Sequence, residues 1–199
     1  MAFKKDSPDS ADLYQIAERQ AGYFSAQQAQ QVGFTRPLLS HHVKTERFLR
    51  VKHGIYRLAQ FHESPYADFF VAVLELHGDG VFSHDIALAL CELSDTLPSR
   101  IHLTAPPQIS RRHLNLKLHS RCLAKNEITL RHGLAITTVK RTLADVIASG
   151  MPEEQVHLAV QQAIERGLVA KTSLLRYARK RGGRMARLIS NVLDENAGK

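Results

Sequence analysis

The sequence predicts an α+β protein in two parts. An N-terminal winged helix-turn-helix, residues 1–62, is followed by a larger mixed α/β domain with a helical C-terminal tail, residues 63–199. Three observations carry this. Short helical patterns punctuated by Gly22 and Gly33 run directly into a hairpin pattern at 48–58. The segment QFHESP, Gln60 to Pro65, is polar and closes on a proline, which marks a boundary. Beyond it alternating and helical patterns mix, and from Lys140 only helical ones remain.

Residues 1–8 are polar and are expected to form a tail. From Ser10, Leu13, Ile16, Ala17 and Ala21 recur at helical spacing, with Asp12 in the first turn where negative charge suits the helix dipole. Gly22 stops that helix. Ser25 is a good N-cap for a second, Ala26 to Val32, ended by Gly33, with Phe34 as a core anchor. Thr35 opens a third helix, with Pro37 in its first turn, where a missing N–H costs nothing. Leu38, Leu39, His42 and Val43 form its inward side, and Ser40, His41 and Lys44 face outward. Phe48–Lys52 and Ile55–Leu58 follow as strands joined by a His53-Gly54 turn. Leu49, Val51 and Ile55, with Tyr56 as a further candidate, are expected inside, and Arg50, Lys52 and Arg57 outside.

In the second part, Tyr66 to His77 has helical spacing and Val81–Ser83 is a short strand. Asp85 to Leu93 is a helix rich in Ala and Leu. Pro98 breaks the chain. Arg100–Thr104, the alternating Leu114, Leu116 and Leu118, Glu127–Arg131 and Leu134–Thr138 are strands, the last two joined at His132-Gly133. Helices follow from Thr142, Pro152 and Thr172 and around Met185 to Val192.

Charge gives the first functional indication. Residues 35–57 hold six basic residues against one acid, Glu46, a local +5 out of a formal +8 for the chain. A basic helix next to a basic hairpin suits duplex DNA, with a rod for the major groove and a flap for the backbone. Arg36, Ser40, His41, Lys44 and Arg47 on the helix and its shoulders, and Arg50, Lys52 and Arg57 on the hairpin, are the expected DNA-binding residues. A second cluster, Lys171, Arg176, Arg179, Lys180, Arg181, Arg184 and Arg187, has no acid within it. It is read as a solvated helix face, with further phosphate or acidic-partner contact as the other possibility, and Arg111-Arg112 as possible additions.

Other chemistry is not indicated. Cys91 and Cys122 have no metal or disulfide spacing and are expected as reduced core residues. The eleven histidines show no HExxH or Cys/His pattern and are read as scattered, so no metal and no cofactor is expected. Ser83-His84-Asp85 holds the residue types of a hydrolytic triad, but adjacent residues cannot form its relay. Ser83 is read as a helix N-cap. The N-terminus lacks the apolar core of a signal peptide, and no apolar run spans a membrane. The protein is expected in the cytoplasm.

The run VFSHDIALALCELSDTLPSRIHLTAP, then GLAITTVKRTLADVIASG, with FLRVKHGIYRL before them, resembles the AbiEi-type antitoxins of abortive-infection toxin–antitoxin operons. The resemblance extends from about Ala11 to the last helix. It departs from the family at Val139, where such proteins often carry proline or an acid. It implies an N-terminal domain that represses its own operon by binding operator repeats, and a second domain that counteracts a nucleotidyltransferase-like toxin. It implies no catalytic residues. Two alternatives stay open: a nuclease with a winged-helix targeting domain, drawing on Glu127, Asp145, Glu153 and Glu154, or a one-component regulator responsive to a small ligand.

Overall fold

A computed structural model describes residues 7–94, 99–107 and 115–195. The tail at 1–8, the Pro98 break, Arg111-Arg112 and the start of the strand at Leu114 lie wholly or partly outside these residues. The chain divides into two compact units. The first runs to Gly80 and includes His132–Leu134; the second holds Val81–Arg131 and the chain from Ala135.

The first unit contains α1 (Ser10–Glu18), β1 (Tyr23–Ser25), α2 (Ala26–Gln31), α3 (Arg36–Lys44), β2 (Phe48–Lys52), β3 (Ile55–Leu58) and α4 (Ala67–Glu75). Local chemistry sets the helix starts. The Asp9 carboxylate accepts the Asp12 N–H at 2.9 Å, capping α1. Ser25 and Gln28 form a reciprocal capping box at α2, each side chain accepting the other's backbone N–H. Thr35 stands at the N-cap of α3 without a side-chain bond there, so Pro37 and the backbone define that start. Gly33, at φ +90, has Ser7 O 2.6 Å from where a Cβ would lie, so the α2–α3 turn requires glycine.

Three strands form a sheet in the order β1-β3-β2, all antiparallel. β1 is a strand the sequence pattern does not disclose. Its register places Phe24 beside Tyr56, and that of the hairpin places Phe48 beside Leu58. These four share one face, and Phe24, Phe48 and Leu58 join the buried cluster of Leu13, Ala17, Ala29, Phe34 and Leu39. Phe24 meets Phe48 edge-on at 5.2 Å. The other face carries Tyr23, Ile55, Arg57 and Leu49, and α4 packs on β1 and β3. Phe70 of α4 stacks on Tyr23 at 5.9 Å.

The sequence places the inner face of the hairpin at Leu49, Val51 and Ile55, and this requires correction. Leu49 and Val51 are 38% and 44% exposed, while Phe48 and Leu58 are buried with Ile55. Leu49 stands on the Ile55 face, opposite Arg57, but is left open to solvent there, and an irregularity between Arg50 and Lys52 shifts the register at Val51. α4 also lies beyond the expected boundary at residue 62 yet belongs to the first unit.

The second unit contains β4 (Val81–Phe82), α5 (His84–Leu90), β5 (Ile101–Ala105), β6 (Leu116–Ser120), β7 (Ile128–Arg131) and β8 (Leu134–Thr137). Four helices complete it: α6 (Val139–Ala148), α7 (Glu153–Glu165), α8 (Lys171–Arg181) and α9 (Gly183–Glu195). The five strands order as β6-β5-β4-β8-β7. β4 runs antiparallel to β5 and parallel to β8, and β5 runs parallel to β6. Phe82, Leu103 and Ile136 are buried, as are Ile86, Leu88, Leu143, Val146 and Ile147 from α5 and α6. Val139, where the family resemblance departs, opens α6 behind Thr138. Cys91 is buried, but Cys122 is exposed and so is not a core residue. Among the described residues no helix is long and apolar enough to cross a membrane.

Candidate nucleic-acid interface

The physics of α3 divides its residues. Leu39 is buried, and Leu38 and Val43 pack on the same cluster, so the helix is fixed by that side. Arg36, Ser40, His41 and Lys44 are all exposed. Hydroxyl, imidazole, ammonium and guanidinium groups on one free surface can meet base edges or phosphates. His42 points the other way. Its ring lies 4.6 Å from Phe48 and 5.7 Å from Phe34. Burial, then the nearby Arg47 and His41 charges, push it below the ordinary histidine value. It is a neutral rim residue.

Arg47 follows α3 and is exposed. Its N–H is held by the His42 carbonyl at 3.0 Å and its carbonyl accepts the Ala59 N–H at 3.0 Å, which fixes the backbone at the entry to the hairpin. The three hairpin cations differ. Arg50 is exposed, with its guanidinium 3.1 Å from His53 Nδ1. Lys52 forms an ion pair with Glu75 of α4. Arg57 is partly buried, donates to the Phe61 carbonyl and lies 6.0 Å from the Tyr23 ring centre. The structure therefore leaves Arg36, Ser40, His41, Lys44 and Arg47 exposed, sets the exposed Arg50 beside His53, and engages Lys52 and Arg57 with their own unit.

The second basic cluster is largely spent within the fold. Lys171 donates to the Leu193 carbonyl at 3.0 Å, and Arg184 to the carbonyls of Ile147 and Met151. Arg181 donates to Glu127 at 2.7 Å, and Arg187 lies 3.8 Å from Glu153. Arg176, Arg179 and Lys180 are exposed on one face of α8.

Three of the four acids named for a nuclease, Glu127, Asp145 and Glu153, are engaged within the fold, and Glu154 is exposed. Arg141, 4% exposed, donates to both oxygens of Asp145 at 2.9 Å and to Glu127 at 2.8 Å. Tyr177 also donates to Glu127, at 2.8 Å. Burial alone would raise Glu127, but the Tyr177 and Ala124 hydrogen bonds and the two guanidiniums lower it on balance. Glu153 is near Arg184 and Arg187 instead.

The histidines are less scattered than the sequence suggests. His84, His102 and His119 come together in the second unit, because β5 and β6 pair in parallel beside the end of β4. Spacing alone does not show which strands pair, so the sequence conceals this grouping.

Residues 12–59 match the family described as transcriptional regulator, AbiEi antitoxin. The match runs from the first turn of α1 to the residue after β3, and so contains every expected DNA-binding residue. No curated protein matches the chain.

Proposed function

We propose that the AbiEi-type segment works as a winged helix-turn-helix, with α3 as recognition helix and the β2–β3 hairpin as wing, and that it represses the protein's own operon. The observation that carries this is the free surface of α3, Arg36, Ser40, His41 and Lys44, flanked by Arg47 and Arg50. The partner is double-stranded operator DNA. Arg36, Ser40, His41 and Lys44 read bases; Arg47 and Arg50, with Lys52 and Arg57 to a smaller extent, hold phosphates. The family matched by this segment contains regulators of toxin–antitoxin systems, and the protein acts in the cytoplasm. On the wider sequence resemblance, the second unit serves as antitoxin against a nucleotidyltransferase-like toxin, without catalysis of its own.

The test is binding to DNA from upstream of its own gene, followed by anisotropy. Replacing both Arg36 and Lys44 with alanine is expected to weaken specific binding by about 1–3 kcal/mol per lost bidentate contact, with thermal stability unchanged. Equal operator affinity in that folded variant removes α3 as the reader. Antitoxin action has a separate readout, growth rescue in cells making the toxin, which the same double variant is expected to retain.

A further inference from the structure

We propose that His84, His102 and His119 form a binding site for one divalent transition-metal ion of the zinc class, in the second compact unit. The three side chains offer ligand atoms that all lie within 4.8 Å of one another. They come from three elements: the first turn of α5, the second residue of β5, and β6. The parallel β5–β6 register pairs His102 with Lys117 and Thr104 with His119, so both imidazoles stand on one face of the sheet. The Ser83 N–H, which bonds to the His102 carbonyl at 3.1 Å, sets His84 beside them.

The surroundings are those of a ligand set. His102 Nδ1 and His119 Nε2 are buried and have no hydrogen-bond partner, and the His102 side chain is only 9% exposed. Buried polar atoms are normally paired, and a bound ion is one of the things that pairs them. His84 Nδ1 lies 2.9 Å from Ser83 Oγ, which also accepts from Thr104 at 2.9 Å. With Nδ1 engaged by this hydroxyl, Nε2 is the His84 nitrogen left for an ion. The Asp85 carboxylate is 3.5 Å from His102 Nδ1 and supplies negative charge beside the three rings.

The rings of His84 and His119 stack at 3.7 Å and 14°. Zinc–nitrogen bonds of about 2.0–2.1 Å in a tetrahedron set nitrogens about 3.3 Å apart. From 4.8 Å the largest closure required is about 1.5 Å, and it comes with the stacked His84 and His119 rings tilting apart so that both in-plane lone pairs meet the ion. His84 has φ +55, a left-handed backbone that histidine tolerates better than most side chains and that aims its ring at the strands. Three protein ligands leave a fourth position for water, and His119, partly exposed, gives access to it. The ion would clamp the β4–α5 turn to β5 and to the edge strand β6.

The experiment uses the full chain without an affinity tag, stripped by chelator and titrated with Co²⁺ and Zn²⁺. The expected result is one ion per chain, intense cobalt visible bands of a four- or five-coordinate site, and a melting temperature raised by Zn²⁺. His119→Ala, at a partly exposed position that leaves the fold intact, is expected to lower affinity at least tenfold and abolish those bands. His62→Ala, an exposed histidine of the first unit, is expected to leave both unchanged. Weak octahedral-type cobalt bands in the native chain, or unchanged stoichiometry and affinity in His119→Ala, overturn the site. His102→Ala adds a second readout: if it folds and still binds one ion with native affinity, the proposal also fails.

Discussion

Arg50 holds its guanidinium in solvent beside the His53 ring, whereas Lys52 pairs with Glu75 and Arg57 donates to the Phe61 carbonyl. A cation already matched within its own unit has less to gain from a phosphate. Arg50→Ala is therefore expected to reduce the log–log salt slope of DNA binding by about 0.9, one phosphate contact, and Lys52→Ala by clearly less. Arg57→Ala is expected to lower the melting temperature instead, since its guanidinium helps cover Tyr23. Equal slope changes for Arg50→Ala and Lys52→Ala would show that the Glu75 pair opens on DNA. Tyr177 gives a second residue-scale prediction. Burial and its hydrogen bond to Glu127 push it up to about 12. A phenol raised in the folded state keeps its stabilising effect below the unfolded value of about 10 and loses it as pH rises through 12. Titration by tyrosinate absorbance should therefore show a last step that Tyr177→Phe removes.

At the scale of elements, the hairpin and the Arg141 network set the clearest tests. Gly54 sits at φ +75 with open space where a Cβ would lie. Its demand is on backbone conformation and not on volume. Gly54→Asn, which tolerates that region, is expected to bind DNA nearly as the native chain does, and Gly54→Val to lose binding and stability together. If valine behaves like asparagine, the turn does not constrain the wing. Arg141 ties α6 to Glu127, at the entry to β7. Arg141→Ala, which leaves the buried Asp145 carboxylate without its partner, is expected to destabilise the protein by about 3–5 kcal/mol in urea unfolding. The elements were largely legible in the sequence because their punctuation is local: Ser25, Gly33, His53-Gly54 and Pro152 mark ends by short-range chemistry. β1 was not, because Tyr23–Ser25 is a strand only through its pairing with β3. Leu49 was placed inside because alternation does not show how much of a face is covered, and Val51 because it presumes an unbroken register. On α3, burial of Leu39 separated the polar face correctly, whereas the engagement of Lys52 and Arg57 depends on α4 and Phe61, whose positions no local pattern gives.

At the scale of the whole molecule, the sequence divides the chain at residue 62, while the first compact unit continues through α4. α4 covers the sheet face that carries Tyr23 and Ile55, both nearly inaccessible. A fragment of residues 1–62 exposes that face, and about 25 cal/mol is lost for each Å² of apolar surface returned to water. We expect 1–80 to unfold at a higher temperature than 1–62 and to bind operator DNA more tightly, as judged by calorimetry and gel shift. A fragment of 81–199 is expected to show no sequence preference. Equal melting of the two shorter fragments would make α4 dispensable. The first unit has one further constituent, His132–Leu134, with Phe70 lying 3.5 Å from where a Cβ on Gly133 would stand. A nascent chain emerges from its N-terminus at about 5–20 residues per second. The first unit therefore gains its last residues only after four strands of its neighbour have been made, and its completion during synthesis waits on a segment that is not adjacent to it in the chain.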